Sequence, residues 1–211
     1  KYAFAIDKQG VAISYTPYLR ELVTDINLGS LTYYNRLNER SAIAGSLRYF
    51  SLGEIELRQT IDETPTTVKP NELALDFGYS LKLSERIAMA VTGRFISSNL
   101  QIPTGSSGDA GAANTFGVDI SAYYQSEEIP YNNFDGRWRA GMNISNIGPK
   151  LKYDDAGQEN FIPTNFRAGG GFDFILDFDN KISALVEVNK LLVPTPQDFN
   201  NNGEIDADDR D

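Results

Sequence analysis

The chain has 211 residues, a formal net charge of −10 and 41% hydrophobic residues, enough for one sizeable domain but with an acidic balance that disfavours nucleic acid as a partner, since phosphate neutralisation needs clustered Lys and Arg. Cysteine and histidine are both absent, which removes disulfides, thiolate chemistry, the commonest general base and the commonest transition-metal ligand. No apolar run approaches the roughly 18–20 residues of a membrane helix, so any membrane crossing must use β-strands. The mean hydropathy of −0.35 does not oppose this, because only every second residue of a barrel strand faces lipid.

Residues 1–6 and 11–16 read as strands joined by the turn Asp7-Lys8-Gln9-Gly10. No signal peptide is visible ahead of them, so the chain is expected to be the interior of a longer, processed protein. Pro17 to Gly29 is expected to be a longer connection with a helical turn at Leu19 to Val23. Leu31 to Leu37 is a strand, turning at Asn38-Glu39-Arg40 into Ser41 to Leu52. Residues 53–71 carry two prolines and read as a long loop.

The hairpin from Glu72 to Ser97 shows the governing pattern most clearly. Its first arm puts Leu73, Leu75, Phe77, Tyr79 and Leu81 on one face and Ala74, Asp76, Gly78, Ser80 and Lys82 on the other. After Leu83-Ser84-Glu85-Arg86, Ile87, Met89, Val91, Gly93 and Phe95 share one face of the second arm. Successive side chains of a strand alternate between faces, so each arm has one apolar face and one mixed, charged face. The arms are about ten residues or more against a usual 5–6, and a tilted strand needs roughly 9–11 to cross a bilayer.

Leu100 to Asn114 is a loop by its Gly, Ser and Ala content. Further alternating strands follow at Thr115–Gln125, Arg137–Ile147, Asn165–Asp177 and Lys181–Val193. Connections alternate between short and long along the chain, with a medium one at 126–136 in a short position, as in outer-membrane barrels with short periplasmic turns and longer extracellular loops. Charges keep to one side: Arg48, Asp76, Arg94, Asp119, Arg139, Arg167, Asp173 and Glu187 all lie opposite the apolar face of their strands. Their mixed signs predict salt-bridged ladders lining a wet lumen. Tyr15, Tyr18, Tyr33, Tyr34, Tyr49, Tyr79, Tyr124 and Trp138 include several at strand ends, where an interfacial girdle belongs. The expected fold is all-β: a transmembrane antiparallel β-barrel over residues 1–193, with an acidic extracellular loop at 194–211. A soluble antiparallel sandwich explains the alternation equally well but not the strand lengths or loop parity.

The last loop holds the sharpest site motif. Asp198, Asn200, Asn202, Gly203, Glu204, Ile205, Asp206 and Asp209 fall at positions 1, 3, 5, 6, 7, 8, 9 and 12 of a calcium loop. This spacing supplies side-chain oxygens from Asp198, Asn200, Asn202, Asp206 and Asp209 and the carbonyl of Glu204, with Gly203 at the sharp turn. Position 12 is Asp rather than the bidentate Glu, and no flanking helix is visible, so the loop is closer to a dockerin repeat's than to a full EF-hand. An acidic solvated loop with Asn-Gly as an ordinary turn is the other reading. Calcium is the only cofactor the sequence points to.

Gly169-Gly170-Gly171 sits mid-strand with no following helix or Lys, so barrel curvature or close packing against a lumen plug explains it better than a phosphate loop. Asn143-Ile144-Ser145 lies inside a strand, against a glycosylation role. Glu127-Glu128 and Asp154-Asp155 read as solvated loop carboxylates. No Ser-x-x-Lys occurs to activate a serine without histidine. No catalytic constellation is found, and the chain is not expected to be an enzyme.

Several blocks together resemble a known family. Lys1-Tyr2-Ala3-Phe4-Ala5, Gly10-Val11-Ala12-Ile13-Ser14-Tyr15-Thr16-Pro17-Tyr18-Leu19, Tyr34-Asn35-Arg36-Leu37-Asn38-Glu39-Arg40-Ser41, Leu47 to Ile55 and Lys69-Pro70-Asn71-Glu72 are similar to PorV, of the PorV/PorQ outer-membrane shuttle proteins of type IX secretion in Bacteroidota. The resemblance implies a barrel of the long-chain fatty-acid transporter (FadL) type with about 14 strands, of which about ten are present here, the last strands being expected beyond the chain. It further implies a bacterial outer-membrane location with loops extracellular and a non-enzymatic role. Its implied partners are outer-membrane lipid, the SprA-type translocon barrel, the C-terminal signal domains of secreted cargo and the PorU-type sortase. The alternative on the same barrel is a FadL-like transporter for hydrophobic small molecules.

Overall fold

The computed structural model describes residues 8–21, 25–58, 64–100, 112–151 and 161–193. Twelve strands form: β1 (Gln9–Pro17), β2 (Ile26–Arg36), β3 (Ser41–Leu52), β4 (Ile55–Leu57), β5 (Thr66–Val68), β6 (Asn71–Lys82), β7 (Ile87–Asn99), β8 (Ala113–Gln125), β9 (Ile129–Pro130), β10 (Asp135–Ile147), β11 (Asn165–Ile175) and β12 (Lys181–Leu191). Nine of them follow one another in a single antiparallel sheet in the order β1-β2-β3-β6-β7-β8-β10-β11-β12, with β9 pairing only β10. Each long strand pairs with its neighbours in the chain, so the sheet is an up-and-down meander.

Strand lengths of 11 to 13 residues for β2, β3, β6, β7, β8, β10, β11 and β12 match what a tilted strand needs to cross hydrocarbon. The expected barrel is not closed: β1 and β12 pair with one neighbour each and not with each other. Every consecutive pairing along the meander is antiparallel, so β1 and β12 run the same way and no antiparallel seam can form between them.

The sheet also departs locally from the pattern expected of the sequence. β2 begins at Ile26 rather than Leu31, because Ile26 to Ser30 pair with Leu52 to Arg48, and ladder pairing outweighs the weak strand preference of Asn27 and Gly29. Gln9 and Gly10 join β1 instead of a turn. The loop 53–71 contains a two-stranded ribbon, β4 with β5. Leu19 makes a bend with φ 49° and residues 20–21 a turn; the rest of the predicted helical turn, residues 22 and 23, lies outside the described residues. The predicted strand 1–6 lies outside the described residues.

The short connections have a common chemistry. Asn38 Oδ1 accepts from the backbone N–H groups of Arg40 (2.9 Å) and Ser41 (2.8 Å). Ser84 Oγ accepts from Ile87 N (3.1 Å), and Asp177 Oδ1 from the N–H groups of Asp179 (2.9 Å) and Asn180 (2.8 Å). A short polar side chain at the first turn position reproduces a backbone turn bond, which is why these residues terminate the strands. The side-chain amide of Asn180, and then the backbone N–H groups, hold the Asp177 carboxyl below its ordinary range. Its folded pKa is depressed, so the turn's contribution is complete above the ordinary carboxylate value and fades as pH falls through the depressed one. We expect Asp177→Asn to remove that acid dependence; hydrogen exchange of the Asp179 and Asn180 amides between pH 5 and pH 2 checks it.

Candidate functional site

The two faces of the sheet differ in kind. On one, Val11, Ile13, Leu31, Leu47, Leu75, Phe77, Val91, Phe116, Ile120, Met142, Val186 and Val188 are exposed, Phe77 by 63% and Ile13 by 80%. Among the described residues, the apolar ones buried against protein are few: Ala42, Ala113 and Ile162. A water-soluble sandwich hides its apolar face, whereas this one leaves a continuous apolar surface that no described residue covers. Tyr15, Tyr33, Tyr49, Tyr79, Tyr124 and Trp138 are exposed on the same face. At the short-turn end Trp138 and Phe172 have ring centroids 4.6 Å apart, and Phe134 and Phe174 5.3 Å. Tyr34 departs from the expected girdle: it lies on the opposite face, where a Cβ on Gly10 would come within 2.6 Å of its ring.

That opposite face is built from register. The ladder puts Asp76 opposite both Ser46 and Arg94. Asp76 Oδ1 takes Arg94 Nε at 2.5 Å, and its Oδ2 takes Ser46 Oγ at 2.8 Å and Arg48 Nη2 at 3.2 Å. Arg94 continues across β7 to Asp119 Oδ2 at 3.0 Å and also donates to Asn146 Oδ1. The side chains of Asp76, Arg94 and Asp119 are 13–15% exposed, so the chain of charges is largely desolvated and each member depends on the next. A second cluster joins Arg139 to Asp173, with Ser183 Oγ donating to Asp173 at 2.7 Å. Six of the eight predicted inner-face charges thus form ladders. Arg167 and Glu187 share the face but make no ion pair among the described residues.

Between them the wall is bare. Gly141 pairs with Gly169, and Gly171 sits one step along; a Cβ on Gly169 would meet the Val186 carbonyl oxygen at 2.8 Å. This glycine floor, with Tyr123, Arg139, Asn143, Arg167, Leu185 and Glu187 around it, bounds an open cavity of about 580 Å³. Gly169 and Gly171 lie against the β12 backbone, where a Cβ on Gly171 would meet the Ala184 carbonyl oxygen at 2.9 Å, whereas Gly170 has only ordinary contacts; Asn143 to Ser145 are in a strand, as expected. Glu127 and Glu128 are not merely solvated: each holds an arginine, Arg86 and Arg137 respectively.

At the long-connection end, Gly53 has φ +82° and lies so close to Asp25 that a Cβ would fall 2.6 Å from the carboxyl. Asp25 Oδ2 accepts from Glu54 N at 2.6 Å. Glu54 in turn pairs with Lys69 at 2.5 Å and raises its pKa, bracing the two ends of the β4–β5 ribbon. The metal set Asp198, Asn200, Asn202, Glu204, Asp206 and Asp209 lies outside the described residues, as does Asp154-Asp155. No cluster of metal-binding side chains occurs among the described residues.

An antiparallel sheet of membrane-spanning length, apolar outside and ion-paired inside, defines the β-strand class of membrane proteins. Within that class the family is shown by sequence: the model for the type IX secretion system protein PorV matches residues 1–198. The chain belongs to the PorV family and is a component of the type IX secretion system, an outer-membrane family of that machinery. No curated protein matches it.

Proposed function

We propose that the chain is a non-enzymatic shuttle that binds secreted cargo at the translocon and carries it to the cell-surface attachment complex. The family match over residues 1–198 carries this reading. The uncovered apolar face supports residence in outer-membrane lipid, with connections 18–25, 53–70, 100–112 and 148–164 on the extracellular side. Proposed partners are an SprA-type translocon barrel, the C-terminal signal domains of cargo and a PorU-type sortase. The test is affinity purification of the full-length protein from detergent-solubilised membranes. Cargo bearing its C-terminal signal domain and a very large barrel should co-purify. A lipid-filled monomer free of both would favour the second reading, a FadL-like transporter, for which the cavity over Gly141, Gly169 and Gly171 speaks.

The oxygen spacing from Asp198 to Asp209 supports calcium at that loop, ordering a segment whose carboxylates otherwise repel. Titration calorimetry of the protein against its Asp198→Ala variant tests it: equal heats at millimolar calcium would end the idea.

A further inference from the structure

We propose that Asn146 is a positioning residue that locks both stems of the connection between β10 and β11 onto the inner-face charge chain. The proposal goes beyond the shuttle reading and holds whichever partner the connection meets. β10 does not end cleanly: its register with β8 shifts between Ile144 and Ile147, and Asn146 adopts φ 58°, the left-handed region that Asn tolerates better than most residues. This bulge turns the residue's polar groups to different elements. Its backbone N–H donates to Asp119 Oδ1 at 2.8 Å, and its side-chain oxygen accepts from Arg94. Its side-chain amide donates to the Pro163 carbonyl at 3.0 Å, and its own carbonyl accepts from Thr164 Oγ1 at 2.7 Å.

One residue therefore joins β7 and β8, through Arg94 and Asp119, to the far end of a connection that departs beside it. The near stem is fixed too. A Cβ on Gly148 would lie 2.1 Å from the Phe116 carbonyl oxygen and 2.8 Å from Ile162, so only glycine fits. Thr115 Oγ1 donates to the Pro149 carbonyl at 3.4 Å. The result is that Ile162, 5% exposed, is folded in over Gly117, while its neighbour Phe161 is 51% exposed. An apolar side chain turned toward a charged wall needs such fastening. The position of the connection's two stems and the electrostatics of the inner face are consequently one unit.

The chain's lack of cysteine makes labelling a direct test. In the full-length protein, Ile162→Cys should react with a polar maleimide about tenfold or more slower than Phe161→Cys, since reaction at a buried site waits on local opening. Adding Asn146→Gly, which keeps the left-handed backbone and both main-chain bonds but deletes the side chain, should erase most of that protection. Ala42→Cys, at a 1% exposed position, reports whether the sheet is intact. If Asn146→Gly exposes Ala42→Cys as well, Thr164→Val cuts the lock from the other stem and takes its place. Unchanged labelling at position 162, in whichever variant keeps position 42 protected, would overturn the proposal.

Discussion

Val91→Arg is expected to block stable membrane assembly, while Ala90→Lys, one residue earlier on the same strand, is expected to be tolerated. Val91 is 52% exposed on the apolar face in the middle of β7. A basic side chain facing hydrocarbon near the midplane costs about 2–4 kcal/mol, beyond the loss of the valine's own transfer into lipid. Ala90 faces Ser80 and Ser121 on the polar side, where a lysine keeps its ammonium in the wet interior. The contrast discriminates sharply. On a face exposed to water, Val91→Arg would be harmless and Ala90→Lys no better. Folding yield into vesicles, read by heat-dependent gel migration, measures both.

Arg94→Met is the second large effect. Arg94 is the member of the inner-face chain that bonds Asp76, Asp119 and Asn146 together, with only 15% of its side chain exposed. Removing one partner of a desolvated ion pair leaves an uncompensated charge and costs about 3–5 kcal/mol. Asp76 keeps Ser46 and Arg48, whereas Asp119 keeps only the Asn146 backbone N–H and loses its counter-charge, so the damage falls mainly on Asp119. Adding Asp119→Asn to Arg94→Met should therefore restore more than half of the loss, because the carboxylate left without a counter-charge is neutralised. Urea unfolding in lipid gives both values. A loss under about 0.5 kcal/mol for the single variant would place the pair with exposed surface bridges and refute a tightly coupled chain.

Both effects rest on the feature most legible in the sequence, the period-two alternation. The sides of Asp76, Arg94 and Asp119 follow from counting residues along one strand. Which charge meets which does not, because register between strands decides it: Asp76 falls opposite Arg94, whereas Arg167 falls opposite Asn143 and Asn189 and makes no ion pair among the described residues. The short strands β4, β5 and β9 were illegible for a related reason. Two or three residues carry no periodicity, and these exist only through pairing with one another or, for β9, with Asp135 and Gly136. Nothing in the alternation singles out Asn146; its role comes from a bulge in β10 that shows only in the pairing with β8.

The measurement that bears most directly on the account is spin-label accessibility across β6 and β7 of the full-length protein in vesicles. Labels at Leu75, Phe77 and Val91 should collide preferentially with oxygen dissolved in hydrocarbon, and labels at Ala74, Gly78 and Ala90 with a water-soluble nickel chelate, in strict alternation. Uniform access of the chelate to both sets, or shielding of the apolar set from oxygen and chelate alike, would contradict a lipid-facing apolar surface.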